Sequence, residues 1–149
     1  MSPNELTKKA QQVKMLFSRD LPNIAAVEGV KHFKRSFQKG IEGFTDDTTI
    51  DKWPDIQPAT KARKRRKNGS LPPILTGVDG PVNSGNLHDS ITARHQPGLV
   101  IFSTDVPYAQ RHNEGLKGMP KRQFWGRSKA LERKITAKLD RELRKIFNA

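Results

Sequence analysis

The stretch that decides the fold is IAAVEGVKHFKRSFQKGIEGF, residues 24–44. Its apolar residues recur every three or four positions, at Ala26, Val30, Phe33, Phe37, Ile41 and Phe44. This spacing places them on one face of a helix, and three of them are among the seven phenylalanines of the chain. We therefore predict a helix that forms a main wall of the core and ends near Gly40 and Gly43.

Two further helical patterns flank this stretch. Ser2, Pro3 and Glu5 fit an N-cap, a first-turn proline and a capping-box glutamate. An apolar face follows at Leu6, Ala10, Val13 and Phe17, and we expect an interruption at residues 20–23. Ser128 is placed to cap the last helix, whose apolar stripe comprises Leu131, Ile135, Leu139, Leu143, Ile146 and Phe147.

The region between the helices predicts a hairpin among loops. Ser90–His95 alternates polar and apolar residues, whereas Leu99–Phe102 is a continuous apolar run, typical of a strand covered on both faces. Gln96-Pro97-Gly98 predicts the turn between them. A short helix is expected over Asp105–Gly115. Residues 45–58 show no periodicity, and residues 68–86 and 116–126 predict loops.

These patterns predict one α+β domain with N-terminal helices, a small mainly antiparallel β-sheet and a long C-terminal amphipathic helix. Residues 1–44 would form the helical part, residues 45–89 a loop-rich basic segment, and residues 90–149 the hairpin, short helix and C-terminal helix. The predicted core comprises Phe37, Ile74, Ile91, Ile101, Leu131, Ile135 and Leu139.

The charge, the cysteine content and the hydropathy of the chain exclude several classes of protein. The 149 residues carry 28 Lys and Arg against 15 Asp and Glu, a net charge of +13, which favours a polyanion or an acidic protein as partner. The absence of cysteine excludes a disulfide scaffold, a cysteine zinc site and a thiol nucleophile. No apolar run approaches the roughly 20 residues of a membrane span, and the first ten residues do not read as a secretory signal.

Catalytic and metal motifs are weak. His88-Asp89-Ser90 contains the residue types of a nucleophilic triad, but we expect it at the start of a strand, where adjacent side chains point to opposite faces. The four histidines lack metal-ligand spacing, and no phosphate-binding glycine loop is present. We therefore expect no enzyme activity, metal or cofactor. A small hydrolase stays open as a third class, because it would need only a cleft with a perturbed histidine.

The most basic stretch predicts contact with a polyanion. Its six cationic residues are Lys61, Arg63, Lys64, Arg65, Arg66 and Lys67. Such a patch would bind phosphates with an affinity that depends on salt and not on nucleotide sequence. A sequence-nonspecific nucleic-acid-binding protein is therefore the alternative function. The basic stretch could also be a solvated helix face or a flexible arm that has no defined ligand. The aromatic residues Trp53, Tyr108, Phe124 and Trp125 lie in or beside loops, either at the edge of the core or as interface anchors.

Four segments, read in order, resemble one known family. WPDIQPAT (residues 53–60) is similar to W-x-P-L-x-x-x-T. ILT (residues 74–76) followed by SGNLHDSI (residues 84–91) is similar to I-L-x-x-[ST]-G-x-L-x-x-S-I. VPYAQRHNEG (residues 106–115) is similar to Y-A-x-x-H-x-x-G, and MPKRQFWG (residues 119–126) to M-P-x-R-x-F-[IL]-G.

These segments resemble the phage virion morphogenesis family, the tail-completion and head–tail joining proteins of Mu-like phages and prophages. The similarity runs from about Ala25 to Phe147. Residues 78–83 look inserted, and Trp125 stands where the family has an aliphatic residue.

The resemblance implies a structural, non-enzymatic protein of the virion, present in the host cytoplasm during assembly. It would cap the tail or join it to the head as a homo-oligomeric ring, in contact with tail-tube or head-connector proteins and nonspecifically with passing DNA, without a membrane. From their residue types we expect an interface at Trp53, Tyr108, His112, Arg122, Phe124 and Trp125.

Overall fold

A computed structural model describes residues 1–76 and 87–148 and has the predicted α+β architecture. The helices are α1 (Pro3–Met15), α2 (Leu21–Arg35), α3 (Pro58–Lys64), α4 (Leu87–Ser90), α5 (Ala109–Glu114) and α6 (Lys129–Asn148). The strands are β1 (Gly43–Thr45), β2 (Ile50–Lys52), β3 (Thr92–Gln96) and β4 (Leu99–Ser103). The strands form two separate antiparallel hairpins, β1–β2 and β3–β4. The segment 78–83 and the first part of the SGNLHDSI motif lie outside the described residues.

Helix α1 begins as predicted, but it buries little of its apolar surface. Glu5 N donates to Ser2 Oγ (3.2 Å), and Ser2 N donates to the Glu5 carboxylate (2.7 Å), which together form a capping box. The predicted apolar face remains largely at the surface, since Leu6 is 59% exposed and Phe17 46%. Among the residues of α1 none is buried, so this helix extends beyond the core.

The expected interruption at residues 20–23 is wrong. A π-helical turn at Leu16–Asp20 carries the chain from α1 directly into α2. Leu21 N donates to Leu16 O, five residues back, and Pro22 occupies the first turn of α2. Proline disturbs the ordinary ladder because it lacks an N–H, and the wider π turn accommodates it without ending the helix.

Helix α2 ends at Arg35, earlier than the predicted Gly40 or Gly43. Phe37 lies in the turn that follows and Phe44 on β1, yet both are buried. The burial of Phe37 and Phe44 was therefore predicted correctly, but both were assigned to the wrong element. The β1–β2 hairpin was missed, because two three-residue strands in an acidic, polar stretch show no readable alternation.

The second hairpin was predicted, with one error about its faces. β3 and β4 pair from Thr92 opposite Ser103 to Gln96 opposite Leu99, around the predicted turn. Only one face is covered, because Leu99 is 43% and Ile101 53% exposed. The assignment of Ile101 to the core is therefore wrong. The covered face packs on α2, where the Phe102 ring lies against Gly29.

The core gathers α2, the loops and the start of α6. Its buried members include Phe33, Phe37, Phe44, Trp53, Ile74, Leu87, Ile91, Val106, Ala109, Phe124 and Leu131. Ile135 is partly buried against this cluster, and Leu139 farther along α6 is also only half-buried. The short helix begins at Ala109 and not at Asp105. Within the described residues, no helix is long and apolar enough to cross a membrane.

Replacement of Gly29 by alanine tests how tightly β4 packs on α2. An added Cβ would lie 2.2 Å from Phe102 Cζ. In an open helix Gly→Ala stabilises by up to about 1 kcal/mol, but overpacking here should lower the free energy of unfolding by about 1–3 kcal/mol. Urea denaturation measures the change, and Phe102→Leu in the same chain should restore much of it. A stabilised Gly29→Ala variant would contradict this packing.

Candidate functional site

Three of the four motif segments meet at Arg122, whose side chain is only 6% exposed. Arg122 Nε donates to Pro54 O (2.9 Å) and Nη2 donates to Asp55 O (3.0 Å). The Arg122 backbone N donates to His112 O (2.7 Å). One residue therefore binds the first motif to the last through its side chain, and the third motif through its backbone.

Two aromatic residues complete this junction. Trp53 Nε1 donates to Gln123 O (2.7 Å), and Phe124 N donates to Asn113 Oδ1 (3.0 Å). The Phe124 ring is fully buried and lies 5.6 Å from the Phe37 ring centroid. We call this set the motif cluster; its members are Trp53, His112, Asn113, Arg122 and Phe124.

The six residues predicted to form an interface do not form one surface. Trp53, Arg122 and Phe124 are buried, so they could influence a partner only through the loops that they position. Trp125 and His112 are half-buried, and Tyr108 is 38% exposed. Trp53 and Phe124 thus belong to the core, one of the two alternatives left open by the sequence. Contact of the set with a subunit or tail stays a prediction.

Burial affects both titratable members of the motif cluster, Arg122 and His112. Burial lowers the pKa of Arg122, although Asp55 acts against this shift. Burial also lowers the pKa of the half-buried His112, and the nearby Arg122 charge lowers it further. The neutral form of His112 is therefore favoured, which avoids a second cation beside the arginine.

The basic stretch divides into bound and exposed cations. Lys61 forms an ion pair with Asp55, whose pKa is lowered mainly by that hydrogen bond. Lys64 is half-buried, and burial lowers its pKa, followed by repulsion from Arg63 and Arg122. The remaining four residues of the stretch are Arg63, Arg65, Arg66 and Lys67, and all are exposed.

The triad-like sequence does not assemble in the way that was expected. His88, Asp89 and Ser90 lie in the helical turn α4, so the strand prediction at this point is wrong. His88 Nδ1 lies 2.7 Å from Asp89 Oδ1, but Ser90 Oγ bonds Leu87 O (2.7 Å) and Thr104 Oγ1 (2.5 Å). The serine therefore serves the local turn and the neighbouring strand end.

A buried serine–histidine pair lies elsewhere, and sequence reasoning missed it. Ser128 Oγ lies 2.9 Å from His32 Nε2, 2.8 Å from Thr45 O and 2.9 Å from Asp46 O. It also accepts from Leu131 N (3.2 Å), which confirms the predicted cap of α6. Only the capping position of Ser128 was a signal in the sequence; nothing marked His32, which is 96 residues away.

This pair joins α2 to the residue that precedes α6. An apolar groove of about 370 Å³ lies beside it, lined partly by Phe102 and Trp125. Ser128 is 2% exposed, and its oxygen is already surrounded by partners. Within the described residues, His32 Nδ1 has no hydrogen-bond partner, so no carboxylate orients the ring as in a catalytic triad.

Comparison with known proteins adds no relative. No family model, curated protein or solved structure matches this chain. Among residues 1–76 and 87–148, no group of three or more histidines and acidic residues is placed to hold a metal ion. The resemblance to the phage family therefore depends on the four motifs.

Arg122→Met tests the central contact. The variant keeps most of the side-chain volume but removes two charged hydrogen bonds to Pro54 O and Asp55 O. We expect the free energy of unfolding to fall by about 2–3 kcal/mol, measured by urea denaturation. Lys121→Met at the exposed neighbouring position is the matched control and should change it by less than about 0.5 kcal/mol. Equal stability of the two variants would contradict the assignment.

Stability should fall as pH drops below neutral. Burial lowers the folded-state pKa of His32 and His112 below the ordinary 6.5, so the unfolded chain binds protons more readily. The free energy of unfolding is therefore expected to decrease from about pH 7.5 to about pH 5.5, above the range in which carboxylates titrate. Urea denaturation at several pH values measures this.

The histidine origin of this pH dependence has its own controls. His32→Gln should weaken the pH dependence and leave the part due to His112, and His95→Gln at an exposed position is the matched control. Proton NMR titration of the wild-type histidines gives a second readout that does not depend on how well a variant folds. An identical pH dependence in wild type and His32→Gln, with an ordinary His32 titration, would show that another group is responsible.

Proposed function

We propose that this protein is a structural component of a phage or prophage virion, a tail-completion or neck protein that joins the tail to the head. It would act as one subunit of a ring that contacts tail-tube or head-connector proteins, and it would be present in the host cytoplasm during assembly. The observation that carries this proposal is the convergence of the family-like segments on Arg122.

The convergence supports the resemblance in a specific way. The segments 53–60, 106–115 and 119–126 are interlocked by side-chain and backbone hydrogen bonds. Three accidental similarities would have no reason to meet, whereas three segments that serve one scaffold would be expected to lie together. The polar groups of the motif cluster bind backbone atoms, which favours a structural role over a chemical one.

Exposed apolar side chains support assembly with other subunits. Leu99 and Ile101 lie on the outer face of β4, at 43% and 53% exposure. Scattered apolar residues are normal on a monomer, but these two are neighbours on one face of a two-stranded hairpin. The opposite face of this hairpin packs on α2, so a subunit contact at Leu99 and Ile101 would bury the apolar face that α2 leaves open.

Deletion of the gene from an inducible prophage that carries it tests the proposal. After induction, electron microscopy should show DNA-filled heads and separate tails, because the subunit that joins them is missing. A plasmid copy should restore joined particles. Normal numbers of infectious particles after deletion would overturn the proposal.

Variant complementation tests the contribution of the exposed strand face. The Leu99→Lys/Ile101→Lys double variant should fail to restore joined particles, because two charges would be placed in a subunit contact. Thr48→Lys, at an exposed position in the β1–β2 turn, is the control and should complement normally. Circular dichroism checks that both variants fold. Full complementation by the folded double variant would exclude this face as a required contact.

A further inference from the structure

An ordered turn presents the cations that follow α3. Gly69 N donates to Arg66 O (2.9 Å), and Arg66 N donates to Ser70 O (2.9 Å). Asn68 Oδ1 accepts from both Ser70 N (3.0 Å) and Ser70 Oγ (2.6 Å). Gly69 adopts a φ of +83°, which suits glycine in such a turn. The backbone that carries these side chains is therefore held by its own hydrogen bonds.

Four side chains remain available on this turn and the adjoining helix. We call them the cationic turn; they are Arg63, Arg65, Arg66 and Lys67. Arg65 Nη1 donates to Gly69 O (2.8 Å), which orients its guanidinium and leaves further N–H groups for a ligand. Lys61 and Lys64 differ, because one is paired with Asp55 and the other is half-buried.

The acidic residues neutralise other parts of the surface. On α6, Arg133 pairs with Asp47, Lys138 with Glu28, and Arg144 with Asp140. In the part of the chain that the structure describes, no ion pair involves a residue of the cationic turn. Its positive charge is therefore concentrated and uncompensated.

We propose that the cationic turn binds the phosphodiester backbone of double-stranded nucleic acid. Arginine guanidinium groups pair with phosphate oxygens through two parallel N–H donors. No aromatic residue occurs between Thr60 and Ser70, so the segment offers no surface on which unpaired bases could stack. Contact is consequently with the backbone of a duplex and ignores its sequence. This site goes beyond the proposed assembly function and does not depend on it.

Fluorescence anisotropy with a labelled duplex of about 25 base pairs tests the site over about 50–300 mM salt. With three or four phosphates neutralised, the logarithm of the association constant should fall against the logarithm of salt concentration with a slope of about −3 to −4. The Arg63→Gln/Arg66→Gln/Lys67→Gln variant should reduce the magnitude of that slope by about 2–3. Its affinity near 100 mM salt should fall at least about tenfold.

The matched control removes the same charge from another surface. Lys129→Gln/Lys134→Gln/Arg141→Gln changes three exposed cations of α6 and should retain nearly wild-type affinity and slope. Equal losses in the two triple variants would mean that net charge alone attracts the duplex and would overturn the site. Tighter binding to single-stranded oligo(dT) would also overturn it, and tighter binding to poly-glutamate would assign the turn to an acidic protein.

The single substitution Arg66→Glu distinguishes a loss of duplex binding from a loss of stability. Its melting temperature should stay within a few degrees of wild type, since the Arg66 side chain is exposed and the turn bonds use its backbone. Its duplex affinity should nevertheless fall, because it reverses one charge of the site. An unchanged affinity would overturn the proposal, and the deletion test of virion assembly would keep its own outcome in either case.

Discussion

The rest of the fold depends on the position of one oxygen atom, Ser128 Oγ. It meets His32 of α2 and the carbonyls of Thr45 and Asp46, and it caps α6 through Leu131 N. Ala130 N adds a hydrogen bond to Asp46 O. The long last helix is thereby fixed by its first turn against the central helix and the first hairpin. Because buried polar groups are expensive when unpaired, this junction constrains the direction of all three elements at once.

The motif cluster performs a similar task for the loops. Its members come from segments with little regular structure, and the buried Arg122 guanidinium donates to the backbone carbonyls of Pro54 and Asp55, which fixes one loop against another. A small chain with few aliphatic residues gains order from such contacts as well as from its core. The apolar face of β4 and the cationic turn lie on elements outside the motif cluster, so substitutions at either surface leave the hydrogen bonds of Arg122 in place.

Sequence reasoning recovered what depends on local pattern. The capping box at Ser2, the cap at Ser128, the Pro97-Gly98 turn and the stripe on α6 all follow from spacing that the chain alone displays. Sequence reasoning failed where contacts between residues far apart in the chain determine the end of an element or the burial of a side chain. The phenylalanine spacing continued past Arg35 although the helix did not, and the covering of β4 depended on α2, which can shield one face only. The Ser128–His32 contact joins residues 96 positions apart and leaves no mark in either neighbourhood.

The π-helical turn at Leu16–Asp20 determines which face of α1 points toward the core. Because an α-helix advances by about 100° per residue, the extra residue in this turn rotates the face of α1 relative to that of α2. The side chains that α2 directs into the core are thus not continued by those of α1, and Leu6 and Phe17 emerge at the surface. Loss of a single residue there would redirect the whole first helix while leaving its composition almost unchanged. The exposure of these apolar side chains at the N-terminal end therefore depends on the rotation that this turn introduces.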